Sequence, residues 1–328
     1  MQSQADTHAA SVPAPRSRLA RLQQVLLLAA VVFACVWVFA WWPRSPTVAV
    51  IGAVLSLAGF AVMLALEGVL ALWVNRTDPG PPLSWGGMVA AWGQEVRMAL
   101  KVFFWRQPFR WARLPDTNKP VAGAGRAVVF VHGFVCNRGF WLPWMARLRR
   151  QGVPYTSVNL EPVFGDIDEY MPLLSDAVQR AHALTGQAPL LVCHSMGGLV
   201  ARAWAAANPE VPVHGMVTIG SPHRGTWLGR FSQAANGRQM RVEGDWLRAL
   251  FAREAQTKPT QTYDHFVCWY SNGDNIVFPA STATLPGADN RHVHGVPHVA
   301  LAFHPRVMDE SLAMLASAGN SPSERTAS

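Results

Sequence analysis

Near the N-terminus two long runs carry no charged residue. Val25–Trp42 is the first and Thr47–Leu66 the second, separated by the breaker Pro43-Arg44-Ser45-Pro46. Neither has a polar face, which argues against a buried hairpin of a soluble protein. Each approaches the ~20 residues that a helix needs to cross a hydrocarbon core. Trp37, Trp41 and Trp42 cluster at the breaker, where an interfacial aromatic belt would lie. The pattern predicts two transmembrane helices over residues 22–74. A cleaved signal peptide competes with this reading, with Arg16–Arg21 as its charged region and Val38-Phe39-Ala40 as its cleavage site. The first run is long for such a segment, however, and a second follows at once.

From about Asn118 the pattern changes. Short, almost wholly apolar runs recur: AVVFVHGF (127–134), YTSVNL (155–160), PLLVCH (189–194), VHGMVTIG (213–220) and HFVCWYSN (265–272). Stretches with helical spacing separate them at 138–151, 167–185 and 196–207. Strands alternating with helices imply a parallel sheet covered on both faces. The connection 226–261 is long for a loop. It carries Trp227, Leu228, Phe231, Trp246, Leu247, Leu250 and Phe251, so it predicts a lid, with an ordinary packed helix pair as the alternative. The ends, 1–21 and 317–328, are small and polar and read as disordered tails.

Composition agrees with a membrane segment joined to a globular part. Half of the 328 residues are hydrophobic and only 15% are charged, too apolar for an ordinary soluble enzyme. The net charge of +8 is compatible with nucleic acid or an anionic membrane, and its location decides. Arg16, Arg18 and Arg21 precede the hairpin, six further basic residues between Arg76 and Arg113 follow it, and the tip has only Arg44. The positive-inside rule then puts both ends, and the rest of the chain, in the cytoplasm. Residues 75–118 read as a basic aromatic juxtamembrane linker. Within it, 97–113 interleaves five positive charges with Phe103, Phe104, Trp105, Phe109 and Trp111. Such a segment either lies on anionic headgroups or packs on the globular part. No nucleic-acid motif accompanies the charge, so no nucleic-acid partner is expected. Cys35, Cys136, Cys193 and Cys268 are scattered without metal spacing. They read as small buried thiols in a reducing compartment, although an even count leaves a disulfide open.

The chemistry concentrates at LLVCHSMGGLV (190–200). A buried strand ends at His194, Ser195 occupies the turn, and Gly197-Gly198 opens a helix. This arrangement exposes a serine hydroxyl on a tight turn, and the dipole and first amides of the following helix would favour an oxyanion. The flanks of such a serine must be small; Gly197 satisfies this, while Cys193 stands where the usual motif has glycine. The plain alternative is an N-cap serine. VHGF, HSMGGLVAR, TIGSPHRGT, SNGDNIVFP and HVALAFHP together resemble α/β-hydrolase-fold serine esterases, in particular bacterial triacylglycerol-lipase-like proteins, over roughly residues 119–316. The resemblance implies a mostly parallel sheet flanked by helices and ester hydrolysis through an acyl-serine, without metal or organic cofactor. It also implies a triad of Ser195, Asp274 and His298, with the amides of Phe134 and Met196 as the oxyanion hole. Asp289 and Asp264 are rival acids, and His292, His294 and His304 surround His298. The expected protein is a membrane-anchored lipase or esterase of a bacterial inner membrane, acting on an apolar acyl ester or lipid. An acyltransferase or thioesterase would use the same residues, and a non-catalytic binding protein on the fold is the alternative outside enzymes.

Overall fold

The computed structural model describes residues 17–121, 123–257 and 263–316. The two apolar runs form α1 (Arg18–Trp41) and α2 (Pro46–Val74), joined by a tight turn. Ser17 and Ser45 cap them, and Pro46 sits in the first turn of α2, where a missing N–H costs nothing. Both helices are long and apolar enough to cross a membrane. They pack closely because position 52 is glycine: a Cβ there would fall 2.0 Å from the Trp37 indole nitrogen, which donates to the Val48 carbonyl at 3.2 Å. Toward the tip the side chains face outward, Phe39 being 85% exposed.

At its base the hairpin is held by the rest of the chain. The segment expected as a linker is helical over most of its length, as α3 (Trp85–Lys101) and a π-helical continuation at Val102–Arg110. Trp92 donates to the Ala61 carbonyl of α2 at 2.8 Å, and Gln24 of α1 donates to the Pro108 carbonyl at 2.7 Å. Val102 is fully buried, and the Arg106 guanidinium lies 5.1 Å from the Phe303 ring centre. The opposite face, with Arg97, Lys101, Trp105 and Phe109, is exposed. The alternation of basic and aromatic residues is therefore amphipathic: one side packs on the globular part and the other looks outward.

Among the described residues the sheet has six parallel strands: β1 (Val128–Val131), β2 (Tyr155–Ser157), β3 (Leu190–His194), β4 (Gly215–Ile219), β5 (Phe266–Tyr270) and β6 (Asp289–His292). Their order is β2-β1-β3-β4-β5-β6. The crossovers supply α4 (Leu142–Arg150), α5 (Met171–Thr185) and α6 (Met196–Ala207). Side-chain alternation along β1 separates the two cores: Val129 and Val131 face α5 and α6, while Val128 and Phe130 face Trp141 and Trp144. Strand order reverses between β1 and β3, and the crevice beyond the carboxyl ends of strands at such a point is where ligands bind in open α/β sheets.

Two differences from the sequence reading follow from packing. β6 lies outside the apolar runs, and Asp289, one of the rival acids, begins it. Its sequence Asp-Asn-Arg-His is polar because the strand lies at the sheet edge and is partly exposed. The long connection contains α7 (Ala235–Gln239) and α8 (Asp245–Thr257). Leu247 and Leu250 of α8 are buried. Arg202 of α6, also fully buried, donates to both carboxylate oxygens of Glu254 at 2.9 and 2.7 Å. This helix therefore packs on α6; the end of the stretch at 258–261 lies outside the described residues, as do 1–16 and 317–328 of the expected tails. The described residues close with α9 (His298–Leu301) and α10 (Pro305–Ala313).

Candidate active site

Ser195 stands between β3 and α6 with φ 54° and ψ −129°, and its side chain makes no capping bond. Ser195 thus occupies the N-cap position of α6 without capping it through its side chain. A non-glycine residue held in this region stores on the order of 1–3 kcal/mol and persists only where the surroundings enforce it. Here its N–H donates to the Ile219 carbonyl at 2.9 Å, and its carbonyl accepts from Gly198 at 3.0 Å. The need for small flanks is visible at Gly197, where a Cβ would lie 2.5 Å from the Val131 carbonyl oxygen and 2.7 Å from that of His132. Cys193, the other flank, is fully buried and registers between Val131 of β1 and Thr218 of β4.

Asp274 and His298 meet beside β4. His298 Nδ1 and Asp274 Oδ2 are 2.8 Å apart, and Asp274 Oδ1 accepts the N–H groups of Ile276 and Val277, each at 2.8 Å. Gly220 gives them room, since a Cβ there would stand 3.1 Å from both Asp274 Oδ2 and His298 Nδ1. Burial alone would lower the His298 pKa; the charge of Asp274 and its hydrogen bond outweigh that, and the net shift is upward from 6.5. Three of the rival residues are engaged elsewhere. Asp289 accepts from Arg291 at 2.6 Å, Asp264 sits 3.1 Å from His265, and His294 Nδ1 is 3.1 Å from the Asn272 amide.

Two histidines near Ser195 have packing roles. His194 stacks on Phe140 with ring centres 4.4 Å apart, and burial, reinforced by the His298 charge, holds its pKa well below the ordinary value. His132 bridges the Gly133 carbonyl at 2.9 Å and the Leu160 N–H at 3.0 Å, with its pKa pushed down to about 4 by burial. Phe134 follows β1 across the crevice from Met196, the first residue of α6.

Three residues that the motifs did not single out support this site. Glu95 of α3 is buried and accepts the N–H groups of Val299 at 2.9 Å and Ala300 at 3.2 Å, beside His298; burial pushes its pKa up to about 7. Glu67 of α2 accepts from the Asn275 side chain at 3.0 Å, and Asn275 Oδ1 in turn accepts the His298 N–H at 3.3 Å. A lone acid at the end of an apolar run is itself a signal, and Glu67 carried it. Ser195, His298, Phe134, Glu67 and Glu95 line one cavity of about 490 Å³, within the ~300–1,000 Å³ of small-molecule sites. Among the described residues, no group of three or more His, Cys, Asp or Glu could hold a metal ion.

A family model described as the alpha/beta hydrolase family matches residues 128–321. The lipase BlEst2 of Bacillus licheniformis, in its mature form, is similar in structure with a TM-score of 0.52 at 16% identity, over 60% of this chain and 96% of that one. Lipase B of Aspergillus fumigatus has a TM-score of 0.50 at 17% identity, over 62% of this chain and 57% of that one. No curated protein matches the sequence.

Proposed function

Because the chain belongs to the alpha/beta hydrolase family, we propose that it is a membrane-anchored serine hydrolase that cleaves carboxylic esters of apolar acyl chains. The observation that carries this reading is that His298, bonded to Asp274, lines the same cavity as the strained Ser195. Ser195 Oγ attacks the ester carbonyl while His298 Nε2 takes its proton. Asp274 keeps the proton of the neutral imidazole on Nδ1 and stabilises the imidazolium that forms. The amides of Phe134 and Met196 receive the oxyanion. His298 then protonates the leaving alcohol, and water, activated by the same base, releases the acid from Ser195. An acyltransferase would differ only in the acceptor of the acyl group.

The hairpin anchors the enzyme with both ends in the cytoplasm, in a bacterial inner membrane. The deciding experiment is fluorophosphonate labelling of the membrane fraction, followed by turnover of p-nitrophenyl esters from acetate to palmitate. Ser195→Ala in a folded protein abolishes labelling and lowers turnover on the order of 10⁶-fold. Labelling that survives the substitution refutes the assignment.

A further inference from the structure

The cavity that holds Ser195 is closed on one side by the membrane hairpin. Leu26 and Leu27 of α1 and Phe60, Met63 and Leu64 of α2 are part of its wall. Leu64 is buried, whereas Leu26 is 58% and Met63 46% exposed. The wall is therefore continuous with the outer surface of the hairpin. Phe60 fixes one edge, packing edge-on against Phe104 with ring centres 5.2 Å apart. The connection expected to supply a lid contributes Thr226 and Met240, while Leu247 and Leu250 of α8 turn into the core beneath the sheet.

Depth along the hairpin gives this wall a meaning. With the tip tryptophans Trp41 and Trp42 at the far interface, a rise of ~1.5 Å per residue puts Leu26 ~22 Å and Phe60 ~21 Å from the tip, and Glu67 ~31 Å. The hydrocarbon core is ~30 Å thick. Glu67, and through it Asn275 and His298, then stand at the near boundary, where ester groups of membrane lipids lie. Leu26, Phe60 and Met63 reach ~9 Å or less into the acyl region. Glu67 and Glu95 are the acids of the lining, and among the described residues no lysine or arginine accompanies them, so the head of the site offers an anionic group no cationic side chain to pair with.

Resting on the serine-hydrolase reading above, we infer that the acyl site is built by the membrane hairpin and opens sideways to the bilayer, admitting a long-chain ester with an uncharged alcohol part directly from the lipid phase. The chain slides in past Leu26 and Met63 with its apolar surface never crossing water, and its carbonyl stops at Ser195.

The test uses the full-length protein in phosphatidylcholine nanodiscs and two probes, hexadecyl and ethyl fluorophosphonate. Both report covalent capture by Ser195, and Ser195→Ala removes both. Narrowing the mouth with Leu26→Trp or Met63→Trp should lower the hexadecyl-to-ethyl ratio of labelling rates by at least ~10-fold, as a chain that no longer fits is rejected. Val36→Trp, on the exposed tip-side surface away from the cavity wall, should leave the ratio unchanged. If Ser195 is labelled and neither plug moves the ratio, the lateral acyl site is wrong while the hydrolase reading stands. No labelling of Ser195 in the unmodified protein overturns both. Faster cleavage of an anionic lysophospholipid than of the monoacylglycerol with the same chain overturns the uncharged-headgroup assignment.

Discussion

Each residue of the Ser195 site is held by constraints of a different kind. Ser195 is held in a strained conformation by backbone hydrogen bonds, Gly197 by the closeness of the Val131 and His132 carbonyls, and His298 by charge and hydrogen bond. The last has a measurable consequence. A base must be neutral to accept a proton, and Asp274 raises the pKa of His298 above 6.5. As pH falls, the neutral imidazole is thus depleted earlier than for an ordinary histidine. The acidic limb of kcat/KM should have its midpoint above 6.5. Asp274→Asn removes the charge that raises it, so the limb should shift to lower pH while kcat falls by about 10⁴-fold. A pH–rate profile of both proteins checks this, and an unshifted limb would mean that another group titrates.

At the scale of elements, α8 is fastened to α6 by a buried ion pair. Arg202 is enclosed, with its guanidinium on Glu254, on the Tyr263 hydroxyl at 3.1 Å and on the His223 carbonyl at 2.8 Å. Tyr263 also donates to Glu254 at 2.6 Å. Removing one partner of such a pair leaves a charge buried without compensation. Glu254→Ala should therefore destabilise the protein by about 3–5 kcal/mol, read as a lowered Tm in detergent. Glu254→Gln, which keeps a hydrogen-bonding acceptor, should lose less. A Tm unchanged in both would show α8 to be loosely attached, as a mobile lid would be. The sequence placed apolar residues in this stretch without saying which way they face. The choice between lid and layer rests on Arg202 and Glu254, which are 52 positions apart.

For the whole molecule, the exposed face formed by Arg97, Lys101, Trp105 and Phe109 lies beside the base of the hairpin. A basic side chain near an anionic surface contributes about 1 kcal/mol. Reversing two, as Arg97→Glu with Lys101→Glu, should lower the ratio of ester turnover in anionic to zwitterionic nanodiscs by ~10-fold or more. An unchanged ratio would assign this face to another role. The proposed topology is checked separately: a reporter fused after Leu114 should behave as cytoplasmic, and carbonate washing should not release the protein. A mature chain beginning at Trp41 would replace the hairpin with a cleaved signal.

The sequence by itself determined whatever depends on neighbours along the chain. Unbroken apolar runs marked out α1 and α2, since no charge interrupts Val25–Trp42 or Thr47–Leu66. Alternation of apolar strands with amphipathic helices specified a parallel sheet, and the strand-Ser195-glycine turn marked one end of the crevice. β6 escaped, since an edge strand can be polar and gives little apolar signal. Only the tertiary structure decided which aspartate meets His298, that α3 occupies much of the expected linker, and that Glu67 and Glu95 converge on the loops around His298. Those relations span 24, 208 and 204 positions for His298–Asp274, Asn275–Glu67 and Val299–Glu95. Such pairs are formed by packing, because a carboxylate that folding buries must find hydrogen-bond donors wherever the surrounding chain supplies them.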